Sequence, residues 1–443
     1  MPTFPPGPKT KLLGLDFPEK FKSDPLGTAA QMRDFGDLSH VRMGPVEWYQ
    51  INTPDLIKEV FVSKSKIFGK TDRFKQILST VDGQGLVLSE GEFWLRQRRI
   101  IQPSFNHDKL ADYGRVMIEK TDEIISSWKN DQKLDLLEEM THTTLGVISK
   151  ILFGIDIGDE AKKLGDAVST ISVCLYREFS DIFLFPEWLP LPSKIEKHKA
   201  VAVLDDMIER AMIKSEKEGE HNTIIASILA AVDTEGDGKG MTREQARDEA
   251  ITMFNAGHDS TAAALAWCWY LLCKNEAVYT EFLEQVDLLE GKPPNFIDLA
   301  KVPMAMEIAK ETLRLYPPAW TVPRQANEET ELDGYTIPKG SLINKFPYVI
   351  QRDPRYFDRP DDFIPSRFSR ENESKIPHFA WVPFGAGPRA CIGKDFALME
   401  MQLVLIRVAQ KFRFKLQDNK DIEVNPLISL EPKGGVPVVA SVR

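Results

Sequence analysis

The chain has 443 residues, a formal net charge of −10, 42% apolar side chains and 28% charged side chains. Its apolar content is enough for a large buried core, and an acidic chain with no long run of lysine and arginine is a poor match for nucleic acid. No linker of low complexity divides the sequence, which predicts one domain over residues 1–443 that opens with a proline-rich segment at residues 1–9.

The cysteines and the apolar runs indicate where the protein works. Cys174, Cys268, Cys273 and Cys391 lack the paired spacing of a metal site or a disulfide framework, so we expect a reducing compartment. No uninterrupted apolar run approaches the ~20 residues that cross a bilayer. A soluble, cytoplasmic protein without a membrane span is therefore predicted, although removal of an N-terminal anchor would leave the same sequence.

The first elements of the chain predict a small β region. Residues 40–52 have the composition of two strands around a turn at Gly44-Pro45, which indicates a β-hairpin. A capping sequence then predicts a helix over residues 56–63. Residues 68–88 have the character of an irregular, apolar and glycine-containing segment.

A helix is predicted to begin at Trp94, and Trp94 and Arg98 share one of its faces. An indole N–H and a guanidinium at this spacing can reach one carboxylate together; an ordinary basic helix surface is the other interpretation. Residues 110–214 are mostly helical in pattern, with a break rich in proline and aromatic residues at 179–192. That break is either a mobile lid or a loop that buries its aromatic side chains on the core.

Residues 233–244 nearly match a calcium-binding loop, because acids occupy positions one, three, five and twelve and glycine occupies position six. Gly240 replaces the usual apolar residue at position eight, and the sequence contains no second loop of this kind. A solvent-exposed turn is the preferred interpretation, and calcium binding is the alternative.

The longest predicted helix begins after Thr242, which can form a capping box with Gln245, and runs to about Leu272. Roughly thirty helical residues span ~45 Å, a length that only a large domain needs. In the middle, residues 256–261 place an acid beside two hydroxyl groups. Gly257 costs the helix ~1 kcal/mol relative to alanine, which indicates either a functional role or close packing against another helix.

Two further patterns precede and follow the most constrained part of the chain. Glu311 and Arg314 are three residues apart on a predicted helix and face the same side, a pair that is common on exposed helices and nearly uninformative alone. Residues 412–443 alternate as β-strands and contain a turn at 433–436, which predicts a final hairpin.

The most constrained stretch is a glycine-rich loop that delivers one cysteine to the start of an apolar helix. Gly385, Gly387 and Gly393 allow backbone conformations that other residues avoid. Cys391 lies at the helix N-terminus, where the helix dipole lowers the pKa of a thiol. Arg389 adds a positive charge suited to an anionic cofactor. The sulfur is therefore expected to be a thiolate.

This loop resembles the cysteine-haem signature of the cytochrome P450 family at every constrained position: Phe384-x-x-Gly387-x-Arg389-x-Cys391-x-Gly393. Three earlier segments resemble the family's other landmarks and occur in its order: Trp94 with Arg98, residues 256–261, and Glu311 with Arg314. The resemblance implies a mainly α P450 fold with a small β region, which binds haem b with Cys391 as the iron ligand.

The resemblance also implies a role for each matching residue. The haem-binding positions are Trp94, Arg98, Ala256, Gly257, Arg324, Phe384, Gly385, Arg389, Cys391 and Gly393. Asp259 and a neighbouring hydroxyl are expected to deliver protons to oxygen. Ser260 occupies the usual threonine position and Thr261 follows it, so either hydroxyl is a candidate. The buried network behind the haem loop is Glu311, Arg314 and Arg367, and Gln351 replaces a frequent histidine with little expected effect. The pocket residues are Phe74, Ile77, Leu78, Phe183, Phe185, Trp320 and Val322.

The implied activity is monooxygenation, in which O2 is reduced by two electrons and two protons and one oxygen atom enters a hydrophobic substrate such as a fatty acid, terpenoid or steroid. No flavin or ferredoxin domain follows Arg443, so a separate ferredoxin, flavodoxin or flavoprotein reductase is expected to supply electrons. Its expected docking residues are Arg96, Arg99 and Lys394. A peroxide-driven P450 peroxygenase is the first alternative, although Asp259 argues against it. A haem-binding sensor without catalysis is the second.

Overall fold

The computed structural model describes residues 4–11, 14, 16–156, 158–181, 184–218, 223–418 and 420–443. The chain forms two compact units, Met1–Lys75 with Lys310–Cys391 and Gln76–Ala309 with Ile392–Arg443. Helices predominate and the strands are short, which confirms the predicted mainly α architecture with a small β region. The single domain expected from the sequence stays a prediction.

The α-helices of the described residues are α1 (Phe17–Ser23), α2 (Pro25–Arg33), α3 (Pro54–Lys58), α4 (Asp72–Asp82), α5 (Gly91–Ile101), α6 (His107–Ile125), α7 (Leu136–Phe153), α8 (Ala161–Ser180), α9 (Pro192–Glu218), α10 (Ile224–Ala230), α11 (Arg243–Lys274), α12 (Glu276–Asp287), α13 (Pro303–Leu315), α14 (Pro347–Ile350) and α15 (Lys394–Ala409). None of these helices is both long enough and apolar enough to cross a membrane.

The strands are β1 (Leu38–Met43), β2 (Val46–Ile51), β3 (Phe68–Gly69), β4 (Gln132–Asp135), β5 (Val322–Ala326), β6 (Thr330–Leu332), β7 (Tyr335–Ile337), β8 (Leu342–Lys345), β9 (Phe412–Leu416), β10 (Val424–Pro426), β11 (Leu430–Pro432) and β12 (Pro437–Val442).

The first unit contains a five-stranded sheet in the order β1-β2-β8-β5-β3, in which only β2 and β8 run parallel. β1 and β2 form the predicted hairpin, with Met43 paired to Val46 across a turn in which Gly44 has a φ of 59°. Residues 48–51 of β2 are all buried, so both faces of the strand are covered at this end.

The predicted helix over residues 56–63 forms as α3, extended by a π-helical turn at Glu59–Ser63. Thr53 caps its start, because its hydroxyl accepts a hydrogen bond from the amide three residues later at 3.3 Å. π-helical turns are rare and are often found at functional sites. This one buries Phe61 in the same hydrophobic core as Ala386 of the cysteine loop.

The second unit is organised around α11, which has 32 residues and is therefore about 48 Å long. Thr242 and Gln245 make both hydrogen bonds of the predicted capping box, which confirms the start of this helix. α11 packs against α7, α15 and β11 within this unit. A helix that contacts neighbours on several sides carries apolar residues around much of its circumference, which explains its weak amphipathic pattern.

Residues 68–88 are not irregular as expected, because they contain β3 and the eleven-residue helix α4. The Thr71 hydroxyl accepts a hydrogen bond from the amide three residues later and so caps the helix. Ile77, Leu78 and Val81 then form a buried apolar stripe at helical spacing. Of the glycines in this segment, Gly69 lies in β3, and Gly83 and Gly85 follow the helix.

The predicted C-terminal hairpin is wrong in its pairing. β10 pairs with β11, whereas β12 pairs with β9 and β4 in a separate three-stranded sheet. The turn at 433–436 therefore joins two sheets. Asp135 of β4 accepts a hydrogen bond from the Val436 amide at 2.8 Å and fixes this turn. Because β4 lies far away in the chain, a local pattern does not reveal this partner.

Candidate active site

The cysteine loop is held in shape by its own backbone. The Cys391 amide donates to the Phe384 carbonyl at 2.8 Å, and the Gly385 amide donates to the Val382 carbonyl at 3.2 Å. A short 3-10 turn over Gly387–Arg389 lies between these contacts. Cys391 is exposed and stands two residues before the N-cap of α15. The loop thus presents one thiol from a closed frame of hydrogen bonds.

The backbone requires glycine at two positions of this loop. Gly385 has a φ of 78° and Gly387 a φ of 68°, in the left-handed region that other residues disfavour. Gly387 is also crowded, because a β-carbon there would lie 2.1 Å from the carbonyl oxygen of Phe61. Gly393 has a φ of −90°, so the expectation that it supplies a special conformation is wrong.

Glu311 and Arg314 lie on α13, and both side chains are completely buried. Arg314 donates to both oxygens of the Glu311 carboxylate, at 2.7 and 2.9 Å, and Arg367 donates to the same carboxylate at 3.2 Å. The Ile364 amide adds a further contact at 2.9 Å. The structure therefore brings the three residues of the expected network together, with one buried carboxylate between two guanidinium groups.

Gln351, expected to matter little, is a missed member of this network. Its buried side-chain amide donates to the carbonyls of Leu313 and Arg314 at 2.9 and 3.0 Å, and its oxygen accepts from the Val382 amide at 2.7 Å. A neutral histidine has a single ring donor and does not satisfy all three groups. Gln351 thereby connects the end of α13 to the chain that enters the cysteine loop.

Two cations from neighbouring strands converge on Phe61. The guanidinium carbon of Arg324 on β5 lies 4.7 Å from the Phe61 ring centroid, and the Nζ of Lys345 on β8 lies 4.5 Å from it. Lys345 is completely buried, and among the described residues its Nζ has no hydrogen-bond partner. Burial, and then the charge of Arg324, lowers the pKa of Lys345 to about 7. Sequence reasoning missed Lys345, because no motif includes it.

Trp94 and Arg98 lie one turn apart on α5, as their spacing predicts, and both are partly exposed. The Arg98 guanidinium donates to the Gln102 side chain at 2.9 Å. Gln97 of the same helix is buried and donates to Glu249 on α11 at 3.2 Å. Burial raises the pKa of Glu249 to about 7. The bond between Gln97 and Glu249 fixes α5 against α11.

Arg96 and Arg99, expected to face a redox partner, are engaged by the loop that resembles a calcium site. Arg99 donates to both oxygens of Asp233 at 2.7 and 2.5 Å, and Arg96 donates to Asp237 at 3.2 Å. The Asp233 side chain is only 1% exposed, and the Arg99 guanidinium holds the pKa of its carboxyl below the ordinary value. Residues 234–239 are exposed, as the preferred interpretation expects, whereas Asp233 is buried against Arg99. Lys394 remains exposed at the first position of α15.

The middle of α11 carries the expected acid and hydroxyl groups. The Ser260 hydroxyl donates to the Ala256 carbonyl at 2.7 Å. A serine bond of this kind competes with the helix's own backbone ladder. Asp259 is partly exposed, whereas Thr261 is buried. Of the two candidate hydroxyls, Ser260 is therefore the one with an observed contact to the helix backbone one turn earlier.

Gly257 lies against α7. A β-carbon at this position would be 3.0 Å from Cδ1 and 3.3 Å from Cγ1 of Ile148. Thr144 lies on α7, as Ile148 does, and its hydroxyl donates to the His258 carbonyl of α11 at 3.1 Å. Close packing between α7 and α11, one of the two interpretations of the sequence, is therefore a sufficient reason for this glycine.

Glu431 on β11 is an acid near Asp259 that sequence reasoning missed. Burial, followed by the negative charge of Asp259, raises the pKa of Glu431 to about 7. Two turns further along α11, the Trp267 indole donates to the Leu430 carbonyl at 2.9 Å and holds β11 against the helix. Because these residues are far apart in the chain, only the packing of β11 on α11 reveals the pair of acids.

Four of the expected pocket residues lie on α4 and β5. Ile77 and Leu78 are buried, and Phe74 and Val322 are partly exposed. Their character is apolar, as expected, and their role at a substrate pocket stays a prediction.

The other three expected pocket residues are Trp320, Phe185 and Phe183, and they do not share one environment. Trp320 is buried in an aromatic cluster, with ring centroids 6.5 Å from Phe21 and 6.2 Å from Phe346. This packing gives Trp320 a role in the core of the first unit. Phe185 is 54% exposed and does not line an enclosed pocket in this structure. Phe183 lies outside the described residues.

The predicted break at 179–192 is confirmed, because α8 ends at Ser180 and α9 begins at Pro192. Trp188, between the two helices, is 80% exposed. The interpretation of a loop that buries its aromatic side chains on the core therefore fails for the described part of this segment.

Comparison with known proteins decides the family. The family model described as cytochrome P450 matches residues 5–437. The chain belongs to the cytochrome P450 family. Cyclooctatin synthase of Streptomyces melanosporofaciens is 31% identical over 416 residues, which cover 92% of this chain and 89% of that protein. Cyclooctat-9-en-7-ol 5-monooxygenase of the same organism is 31% identical over 400 residues, with 88% and 85% covered.

Pentalenene oxygenase of Streptomyces avermitilis is 27% identical over 403 residues, which cover 90% of this chain and 88% of that protein. These similarities and the helical architecture establish the P450 fold. The protein is a P450 monooxygenase that uses O2, an organic substrate and electrons from a redox partner.

Membership of the P450 family implies a haem-iron cofactor, and the residues of this chain fit one. Cys391 offers an exposed sulfur at the end of the loop, which is the donor that a thiolate-ligated haem iron requires. In the same unit, Arg324 and the buried Lys345 form a cationic site suited to a carboxylate. The donor set therefore matches both the metal and the anionic edge of such a group.

Proposed function

We propose that this P450 binds haem b through the Cys391 thiolate and uses O2 to hydroxylate or epoxidise a largely hydrocarbon substrate. The acid and hydroxyl pair on α11 carries this proposal. Asp259 stands next to Ser260, whose hydroxyl donates to the Ala256 carbonyl at 2.7 Å. Reduction of O2 requires protons, whereas peroxide already contains reduced oxygen. A carboxylate beside a hydroxyl serves the first reaction.

The chain's own groups stabilise the thiolate. Hydrogen bonds within the cysteine loop fix its backbone, and Cys391 comes two residues before the N-cap of α15, where the positive end of a helix dipole favours a thiolate. Bound haem supplies the iron at which O2 is reduced and split, with one oxygen atom leaving as water.

Proton delivery is assigned to two neighbouring side chains. Asp259 takes protons from solvent, since it is partly exposed, and passes them to the Ser260 hydroxyl. In this proposal the Ser260 hydroxyl would deliver the proton to the reacting oxygen. Its contact with the Ala256 carbonyl holds the hydroxyl in one orientation until it is needed.

The substrate is proposed to be a terpenoid. The buried apolar side chains of α4 support a hydrophobic molecule, and the names of two relatives contain cyclooctat-9-en-7-ol and pentalenene. These two compounds are therefore the first to test, before fatty acids and steroids.

The electron donor is proposed to be a separate ferredoxin, flavodoxin or flavoprotein reductase with an acidic surface. Lys394 supports this choice, because it is exposed next to the cysteine loop and Arg96 and Arg99 are occupied by acids of this chain. Exchange of Lys394 for glutamate is expected to slow reduction at low salt only.

One experiment tests the reaction and the substrate class together. Binding of each compound is followed by the low-spin to high-spin shift of the Soret band, and binders are then assayed with NADPH and redox partners or with peroxide. The proposal expects oxygenated product with NADPH and O2. Product with peroxide alone would favour a peroxygenase, and no product with any binder under either condition would favour a sensor.

We predict that Cys391→Ala and Cys391→Ser both abolish thiolate ligation, because neither side chain offers sulfur to iron. The reduced carbon-monoxide complex should lose the red-shifted Soret band of thiolate-ligated haem. Cys273→Ala, which removes a sulfur whose pKa burial raises, serves as the control and should keep this band. A red-shifted band in either Cys391 variant would contradict the assignment.

A further inference from the structure

We propose that Lys345 and Arg324 together bind a carboxylate of the haem, a role that rests on the proposed haem b because this cofactor carries two propionate groups. The resemblance to the family includes Arg324 but not Lys345. The proposed site holds one carboxylate anion between the ammonium group of Lys345 and the guanidinium group of Arg324.

The surroundings of Lys345 call for an anion. Lys345 is the last residue of β8, it is completely buried, and among the described residues its Nζ lacks a hydrogen-bond partner. A lysine is almost never buried in this way without a compensating group. Lys197 on α9 shows the usual arrangement: it is equally buried, and its Nζ donates to Glu178 at 2.6 Å and to Thr80 at 3.0 Å.

Strand pairing brings the two cations to one face of the sheet. β5 and β8 are antiparallel, with Val322 opposite Lys345 and Arg324 opposite Ile343. Paired residues project to the same side, so Arg324 and Lys345 occupy diagonal positions on one face. Both approach the Phe61 ring, at 4.7 and 4.5 Å from its centroid. Two like charges at one ring repel each other, and a shared carboxylate removes this repulsion.

Phe61 also connects the cation pair to the cysteine loop. Its carbonyl oxygen lies so close to Gly387 that a β-carbon there would be 2.1 Å away. The turn at Glu59–Ser63 contacts the turn at Gly387–Arg389, which ends two residues before Cys391. One residue therefore contacts the iron-binding loop through its backbone and both cations through its ring. This continuity favours a carboxylate of the cofactor over a carboxylate of the substrate.

Haem transfer from the holoenzyme to an excess of apomyoglobin tests the proposal. Lys345→Met keeps the length and apolar stem of the side chain but removes the charge, and we expect haem transfer to become about tenfold faster or more. Lys345→Arg should restore slow transfer. Lys339→Met, which removes an exposed lysine from the turn before β8, is the control and should match the parent.

A second measurement identifies the carboxylate. The full-length chain freed of haem is reloaded either with haem b or with its dimethyl ester, in which both propionates are blocked. The parent should hold haem b more tightly than the ester, and Lys345→Met should lose this preference. Equal transfer rates for the parent and Lys345→Met, or a difference that persists with the ester, would overturn the proposal.

Two further results would also overturn it. If Lys345→Met weakens binding of a fatty acid but not of its methyl ester, with haem transfer unchanged, the carboxylate belongs to a substrate. If Lys345→Met melts well below the parent when both chains are free of haem, the lysine serves folding. A pyridine haemochrome spectrum of the parent is recorded first, because a cofactor other than haem b would contradict the proposed function itself.

Discussion

Asp259 has two neighbours that act on it in different ways. Ser260 follows it in the helix and offers a hydroxyl, whereas Glu431 faces it from β11 and adds a second negative charge near neutral pH. The first neighbour can accept a proton from the acid, and the pKa of the second is raised by burial and then by the negative charge of Asp259. Both effects are measurable by replacing single side chains.

We predict that Asp259→Asn slows O2-dependent turnover by about a hundredfold, because the amide does not relay protons. Ser260→Ala should release more hydrogen peroxide for each NADPH consumed. Ser260→Thr should improve coupling, since threonine has fewer rotamers, unless its methyl group crowds the substrate.

Thr261→Ala is the control for these variants and is expected to keep the parental coupling. Peroxide and product are measured per NADPH. If Thr261→Ala uncouples the reaction and Ser260→Ala does not, the hydroxyl that delivers the proton belongs to Thr261. Unchanged O2-driven turnover in Asp259→Asn would refute the proton route.

We predict that Glu431→Gln makes the protein more stable at pH 8 but not at pH 4. The pKa of Glu431 is about 7 in the folded protein against an ordinary 4.5, so the folded state binds more protons between these values. Folding stability contributed by this group therefore falls as pH rises from about 4.5 to about 7, and the loss is complete above that range. Glutamine does not ionise, so the variant does not lose stability in this pH range.

Melting temperatures across this pH range test the prediction, with Glu423→Gln on the same hairpin as control. Glu423 pairs with Lys433, which holds its pKa below the ordinary value, so its replacement gives no gain at high pH. A pH-independent difference between Glu431→Gln and the parent would show that Glu431 ionises normally.

Contacts between helices explain several residues for which the sequence motif alone allowed two interpretations. α5 presents Arg96 and Arg99 to the acids of the 233–237 loop, so this face of the helix is an internal junction. α7 presents Ile148 to Gly257 of α11, so the small residue is explained by the approach of two helices. The resemblance to the family also implies that Gly257 binds haem. Measurements of unfolding free energy can separate a packing role from a haem-binding role.

We predict that Gly257→Ala destabilises the protein by ~1–3 kcal/mol, because the new methyl group overpacks the contact with Ile148. Ile148→Val removes the Cδ1 atom that would be 3.0 Å away and alone costs ~0.5–1.5 kcal/mol. The double variant should be more stable than the sum of the two losses implies, by ~1 kcal/mol.

Denaturant unfolding of the four proteins of this double-mutant cycle measures the coupling. Gly165→Ala on α8, where a β-carbon meets no atom within 4 Å, is the control and should be neutral or stabilising. Additive effects of Gly257→Ala and Ile148→Val would show that packing does not explain the glycine.

At the largest scale, the polar network of the first unit links segments that are distant in the chain. Glu311 on α13 accepts hydrogen bonds from both Arg314 and Arg367, and Gln351 extends the contacts to Val382, which precedes the cysteine loop. Glu311, Arg314 and Gln351 are completely buried, and the Arg367 side chain is 12% exposed. The network therefore connects segments of the unit that contains Cys391.

We predict that Glu311→Ala and Arg314→Ala each lower the free energy of unfolding by ~3–5 kcal/mol, because each leaves a buried charge without its partner. Gln351→Ala should cost ~1–3 kcal/mol through its unsatisfied backbone partners. All three should lose haem more readily, while substrate preference changes little.

Arg115→Ala is a matched control, because Arg115 and Asp112 have the same i,i+3 spacing on α6 but are largely exposed. Its effect should stay within ~0.5 kcal/mol. Denaturant unfolding and haem content are measured for all variants. Parental stability of Glu311→Ala and Arg314→Ala would contradict the role assigned to the buried network.

Local patterns were sufficient for several elements. The capping box of α11, the hairpin of β1 and β2 and the break after α8 depend on residues within a few positions of each other, so the sequence predicts them. The cysteine loop is similar, because the φ values of Gly385 and Gly387 are determined by the turn itself. The helix α4 was missed because the glycines that follow it masked its apolar stripe.

The order of the motifs determined the family and the expected ligand Cys391, whereas the tertiary structure decided which charges compensate each other. Arg99 meets Asp233, Glu431 meets Asp259, and Lys345 lies buried beside Arg324 because distant segments pack together. Burial and Coulomb energies depend on distances through space, and these distances are not encoded in residue spacing along the chain. For this reason the sequence alone predicted the family and its haem chemistry, and only the fold revealed which acids and cations face one another.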